Sequence, residues 1–233
     1  MIIFLNYFLL FIIYSFLGWL IEITVFLISE KHFTPRGFLI GPYCPIYGFA
    51  SIIMITLLNK YFNDPLIVFV LSSIIASILE YFTSYIMEKI FNARWWDYSD
   101  RKLNINGRIC LVNSILFGML ALILIYLVNP FIVQIINSIP KVYFIFISSV
   151  LLTIYIIDNI VTFNIMFKIR TFTKALKKDY TEEMTKKVRK ALLEHSFITR
   201  NILKSFPRLE IKGFESKKEK IFNFINSKKS SLK

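Results

Sequence analysis

The chain lacks most of what soluble catalysis draws on. It holds two cysteines and two histidines in 233 residues. Cys44, Cys110, His32 and His195 show no zinc-ligand spacing, so no metal site is implied. There is no Gly-x4-Gly-Lys-Ser/Thr loop, no Gly-x-Gly-x2-Gly, no His-Glu-x2-His and no Gly-x-Ser-x-Gly. Nucleotide hydrolysis, dinucleotide binding, zinc proteolysis and hydrolase chemistry therefore lack their usual residues, and no cofactor is implied. Charge is scarce too. Residues 1–167 carry 9 Lys/Arg and 8 Asp/Glu, whereas residues 168–233 carry 19 and 7. The net charge of +13 is thus a property of the tail.

What the chain has instead is apolar surface. Hydrophobic residues make up 56% and aromatics 17%, with a mean hydropathy of +0.60. A soluble domain of this length cannot bury that much, so the composition implies an all-α polytopic membrane protein. Five apolar segments are expected to span: 3–29, 45–59, 65–91, 109–129 and 142–167. The first is not expected to be a cleaved signal peptide, because Met1 to Leu10 contains no Lys or Arg. A transmembrane domain over 1–168 is then followed by a basic cytoplasmic tail over 169–233. Positive residues mark cytoplasmic loops. That rule places the tail and the loops at 30–44 and 92–108 inside and the N-terminus outside. Cys44 and Cys110 then face a reducing compartment, where a structural disulfide is disfavoured and both read as small residues packing helix starts.

The glutamates are few and repeated. Those of the first 167 residues are Glu22, Glu30, Glu80 and Glu88, and they belong to two copies of Glu-x7-Glu-Lys-x-Phe-x2-Arg set 58 residues apart. The copies end at Arg36 and Arg94, and a Gly-x2-Cys follows each, ending at Cys44 and Cys110. Two parallel hairpin repeats are expected, over 3–59 and 65–129, with a fifth span over 142–167. At about 1.5 Å per helical residue, Glu22, Glu80 and Asp158 all lie roughly 10–14 Å inside the inner interface. A charge left unpaired there costs about 2.5–3.5 kcal/mol on insertion scales. Each acid must face the bundle interior, find a partner or be protonated. Two readings follow: a polar site opening to the cytoplasm, or packing elements balanced by Arg36, Arg94 and Arg108 at the mouth.

The connections carry further candidates. Residues 35–48 are broken by glycine and proline, as in Gly41-Pro42-Tyr43-Cys44-Pro45, where helix cannot persist. This is either a re-entrant segment in which Tyr43 and Tyr47 offer hydroxyls to a polar group, or a tight surface turn. In the second connection Trp95, Trp96 and Tyr98 suit the interfacial aromatic belt. An alternative has Arg94 and Arg108 gripping a phosphate or carboxylate that Asn104 and Asn106 orient. Glu80, Ser84 and Glu88 are spaced by four and share one helix face. In the tail, Met184, Val188, Ala191, His195, Ile198 and Ile202 form a heptad-like seam flanked by lysines. Such a helix is expected to lie on anionic lipid, with a docked protein partner as the alternative and no nucleic acid.

The run Gly18-Trp19-x2-Glu22, Arg36-Gly-Phe-Leu-x-Gly-Pro-Tyr-Cys-Pro-Ile-Tyr-Gly48, Glu80-x2-Thr83-Ser84, Trp96-Asp97-Tyr98-Ser99 and Asn104-x2-Gly107-Arg108-Ile-Cys110 resembles the putative ABC-transporter type IV permease family over roughly residues 10–125. The resemblance implies a transporter permease subunit and an ATPase partner. The residues themselves also admit an intramembrane enzyme acting on a lipid head group, with Glu22 or Glu80 as general base, or a membrane adaptor. The candidate pathway residues are Glu22, Arg36, Tyr43, Glu80, Glu88, Arg94, Asn104, Arg108 and Asp158.

Overall fold

The structure, a computed structural model, describes residues 1–31, 37–91, 93–178 and 210–211. Arg36 and the expected tail helix over 181–202 lie outside these residues. Helices dominate: α1 (Ile2–Glu30), α2 (Pro45–Leu58), α3 (Pro65–Phe91), α4 (Leu111–Ile123), α5 (Asn129–Ser138) and α6 (Lys141–Lys178). Among the described residues, four helical stretches are long and apolar enough to cross a membrane: Ile2–Ser29, Pro65–Phe91, Leu111–Ser138 and Lys141–Phe167. The second apolar segment, α2, has 14 residues, about 21 Å of helix, and falls short of the roughly 30 Å hydrocarbon core.

Local chemistry sets the helix boundaries. Asp64 accepts from the Ile67 backbone N–H at 3.1 Å and Pro65 follows, an N-cap and first-turn pair that starts α3. Cys44 and Cys110 are the extended residues immediately before α2 and α4, and both are buried and outside any disulfide. The fourth span runs further than its expected end at residue 129, and this is a correction. Helix continues from α4 through a π-turn at Leu124–Val128 into α5. Pro130 has no N–H to complete the α pattern, and a locally widened turn absorbs the mismatch without ending the helix.

The second connection folds on itself. Strands β2 (Asn104–Ile105) and β3 (Ile109–Cys110) pair antiparallel around Asn106 (φ 53) and Gly107 (φ 65), both left-handed. A side chain at Gly107 would also strike Asp97 and Ser99. Strand β1 (Ala93–Arg94) pairs with β4 (Glu210–Ile211), which brings one piece of the tail to this loop.

Contacts between helices give their directions. Tyr47 sits at Gly18, Gly48 at Ser15 and Phe11, and Ile55 joins the cluster of Leu5, Leu9 and Leu10. Helix α2 therefore runs antiparallel to α1 along most of its length. In the same way Ser114 meets Ser77 at 2.7 Å, Gly118 meets Ser73 and Phe69, and Tyr126 reaches the Phe62 carbonyl at 2.7 Å, so α4 runs antiparallel to α3. Glycine permits both close approaches. A Cβ at Gly48 would lie 2.6 Å from the Phe11 carbonyl oxygen, and one at Gly118 would lie 2.8 Å from the Phe69 ring. A second cluster, Met54, Leu58, Val68, Ala76, Ala121 and Ile125, joins α2, α3 and α4. At the loop end, Phe91, Trp95 and Met166 pack with Phe38 and Ile165 and close the bundle with aromatic rings.

Candidate functional site

Every fourth residue of α3 from Ser72 is buried: Ser72, Ala76, Glu80, Ser84 and Glu88. This line faces the bundle because residues four apart share a helix face. Glu80 is only 6% exposed. Its Oε1 accepts from the Tyr98 hydroxyl at 3.0 Å, while its Oε2 is buried with no hydrogen-bond partner. On α1, Glu22 accepts from the Tyr47 hydroxyl at 3.1 Å. The two carboxyls lie within electrostatic reach of one another, and Glu22 acts on Tyr98 as well. One layer therefore holds Glu22 with Tyr47 and Glu80 with Tyr98. Burial first, and then the Glu80 carboxylate, hold the Tyr98 hydroxyl well above the usual phenol range, so it donates to Glu80 as a neutral phenol. The Tyr47 ring is seated on Gly18 and stands edge-on to Phe117 at 6.2 Å.

Next to this layer, toward the loop, lies an ion-pair group. Arg108 Nη2 is 2.7 Å from Glu88 Oε2, with side chains 9% and 5% exposed. It also donates to Ser84 Oγ at 3.2 Å, and its guanidinium lies over the rings of Tyr81 and Tyr85. Arg94 pairs with Asp97 at 3.0 Å and lies 3.6 Å from Glu88, and it donates to the Asn106 carbonyl at 2.8 Å. Burial pushes the Asp97 carboxyl up, but the Ser99 hydroxyl and backbone N–H, with Arg94, outweigh it and hold the carboxyl below the usual range. Its folded form is favoured above the unfolded value, and that contribution is lost as pH falls through the depressed one. Arg94 and Arg108 thus meet Glu88 and Asp97 rather than the two acids of the inner layer.

Asp158 does something different. Its carboxylate accepts from the backbone N–H groups of Ile40 at 3.1 Å and Gly41 at 2.7 Å, from the Tyr43 hydroxyl and from Thr162 Oγ1 at 2.8 Å. It satisfies the amides that Pro42 and the broken backbone leave outside any helix. Burial first, and then the bond to Asp158, raise the Tyr43 hydroxyl above its usual range. Asp158 and Tyr43 therefore form a staple between α6 and the first connection.

Asn104 also acts locally. It donates to the carbonyls of Ser99 at 3.1 Å and Arg101 at 2.7 Å and accepts from the Gly107 N–H at 2.9 Å. The aromatics expected in the interfacial belt are placed otherwise. Trp95 is buried with Phe91 and Met166, Trp96 Nε1 donates to the Arg108 carbonyl at 3.0 Å, and Tyr98 reaches Glu80. The hairpin turns the chain back and aims these rings inward. Its signal was present in Asn106-Gly107, a dipeptide suited to paired left-handed residues. Nothing local marks Tyr98 as the donor to Glu80, 18 residues away.

The model of the family described as Putative ABC-transporter type IV matches residues 9–163. The match runs past the motifs near residue 125 and takes in Asp158. No curated protein and no solved structure matches the chain significantly.

Proposed function

This chain belongs to the Putative ABC-transporter type IV family, whose model covers two thirds of it, and on that premise we propose that it is the membrane permease subunit of a transporter. The four long apolar helices and the family make it a multi-pass, transporter-like membrane protein. The observation that carries the permease role is that Glu22 on α1 and Glu80 on α3, acids within apolar spans from the two halves of the chain, each accept from a tyrosine hydroxyl. Intramembrane ionisable groups facing a bundle interior line pathways and sites far more often than they fill space. The committed arginines give less support to a lipid-head-group enzyme, since Arg94 and Arg108 already face Glu88 and Asp97.

Two packing patterns support a hairpin repeat. Phe11 and Ser15 frame Gly48 as Phe69 and Ser73 frame Gly118, with 58 residues between each Phe and Ser pair. Cys44 and Cys110 precede α2 and α4 in the same extended conformation. The antiparallel course of α2 along α1 supports a fifth, short passage completed by the segment before it. The N-terminus then lies outside and the basic tail inside, with the Glu22–Glu80 layer opening inward. Reporter fusions should read external at Lys60 and Lys141 and internal after Lys233; an internal signal at Lys60 overturns the hairpin topology.

The permease role is tested by purifying the full chain in mild detergent from its native membranes. An ATP-hydrolysing subunit should co-elute, because the chain has no phosphate loop of its own. A chain that elutes alone from cross-linked and uncross-linked membranes alike overturns the ATP-driven permease.

A further inference from the structure

We propose that the tip of the second connection is a membrane anchor, with Leu103 and Ile105 entering the acyl boundary of the bilayer and Arg101 and Lys102 on the phosphates of anionic lipids. The two apolar side chains stand out from the hairpin, 74% and 56% exposed. Leu103 does so from a left-handed backbone (φ 53), a conformation that is uncommon for leucine and marks strained or functional positions. Hydrogen bonds hold the tip in this shape. The Arg101 N–H donates to the Tyr98 carbonyl at 2.8 Å and the Arg108 N–H to the Ile105 carbonyl at 3.0 Å. Asn104 ties Ser99, Arg101 and Gly107 together between them. The exposed pair is built into the hairpin.

The neighbours of the tip name its occupant. The Leu111 N–H donates to the Leu103 carbonyl at 3.3 Å, and Leu111 opens the apolar stretch Leu111–Ser138. Asn106 Nδ2 donates to the Tyr81 hydroxyl at 3.0 Å, within the stretch Pro65–Phe91. The tip thus rests on two spans, with Leu103 beside the exposed apolar residues Leu111 and Val112. In a spanning helix that surface meets acyl chains, and the lipid that covers it reaches Leu103 as well. Two apolar side chains make a patch far smaller than the roughly 800 Å² per partner of a stable protein interface. Arg101 and Lys102 are exposed, and among the described residues neither has an ion pair. Long basic side chains beside inserted apolar ones reach lipid phosphates. Asp100, also exposed, adjoins them and leaves one net positive charge. Anionic lipid is then favoured over neutral lipid about fivefold, the effect of one basic charge near an anionic surface.

The test places a bimane label at one position of the full chain in nanodiscs, in a Cys44→Ala and Cys110→Ala background. In Leu103→Cys and Ile105→Cys, lipids with a nitroxide on the acyl chain should quench the label strongly and aqueous iodide weakly. In Asp100→Cys the order should reverse. At equal mole fraction, nitroxide-bearing phosphatidylglycerol should be enriched at the Leu103→Cys label about fivefold over nitroxide-bearing phosphatidylcholine. Adding Arg101→Gln and Lys102→Gln should abolish that enrichment. A thermal midpoint equal to the parent's shows that a labelled variant is folded, and the two apolar positions report independently if one fails. Iodide quenching at both positions as strong as at Asp100→Cys, without acyl-chain quenching, puts the tip in water or against a protein and overturns the anchor. Enrichment that persists in the glutamine pair comes from basic residues elsewhere and overturns the role of Arg101 and Lys102. The anchor needs only that the two helices span, so the permease role stands or falls separately on the co-eluting subunit.

Discussion

Arg108→Ala is expected to destabilise the folded chain by about 3–5 kcal/mol, the usual cost of stranding one partner of a buried ion pair. Glu88 would keep its charge in a position only 5% exposed while losing the guanidinium 2.7 Å away. Arg94, at 3.6 Å, recovers little of this because it is also bound to Asp97. Combining Arg108→Ala with Glu88→Gln should restore more than half of the loss, since an amide buries without the charge penalty. Unfolding of the purified protein by graded denaturant in detergent measures the cycle. If the double variant is no more stable than Arg108→Ala alone, Arg108 acts through its stacking on Tyr81 and Tyr85 and the electrostatic argument is wrong.

Asp158→Ala should release the first connection from α6. The carboxylate takes two backbone N–H groups and two hydroxyls. Bonds to a charged group contribute about 1.5–3 kcal/mol each in favourable cases. Asp158 is half-buried and water replaces part of what is lost, so a net cost of about 2–4 kcal/mol is expected. The local consequence is easier to read than the global one. Cys44 is 5% exposed, and its backbone N–H is held by the Ser15 carbonyl at 2.9 Å. In a Cys110→Ala background, maleimide should label Cys44 at least tenfold faster in Asp158→Ala than in the parent, with Asp158→Asn between them. Unchanged labelling in Asp158→Ala would mean that the connection is held by its own turns and by Phe38, and that the staple is dispensable.

The long helices could be read from the chain because each is a local fact, a long apolar run with few charges, started in α3 by Asp64 and Pro65. The acids at membrane depth could be read for the same reason, as could the shared face of Glu80, Ser84 and Glu88. Partner choice could not. The amides that meet Asp158 lie 117 and 118 residues away, and only packing of α6 against the first connection brings them together. Arg36, Arg94 and Arg108 all stood at the mouth as partners for the acids; the hairpin at Asn106-Gly107 decides the matter for Arg108 by turning it back over α3. The passage of helix through Pro130 was obscured because a proline ordinarily ends an α-helix, and a π-turn is the less common remedy.

Helix α6 is one unbroken rod from Lys141 to Lys178. It touches the cluster of Leu5 and Tyr14 through Phe144, the aromatic closure through Met166, and the first connection through Asp158. The 21 residues from Asp158 to Lys178 make a shaft of about 30 Å. A push or tilt applied at its far end would bear on the Ile40 and Gly41 amides through Asp158. Through Asp158 the same helix is tied to the segment that leads into α2, on which Tyr47 holds Glu22.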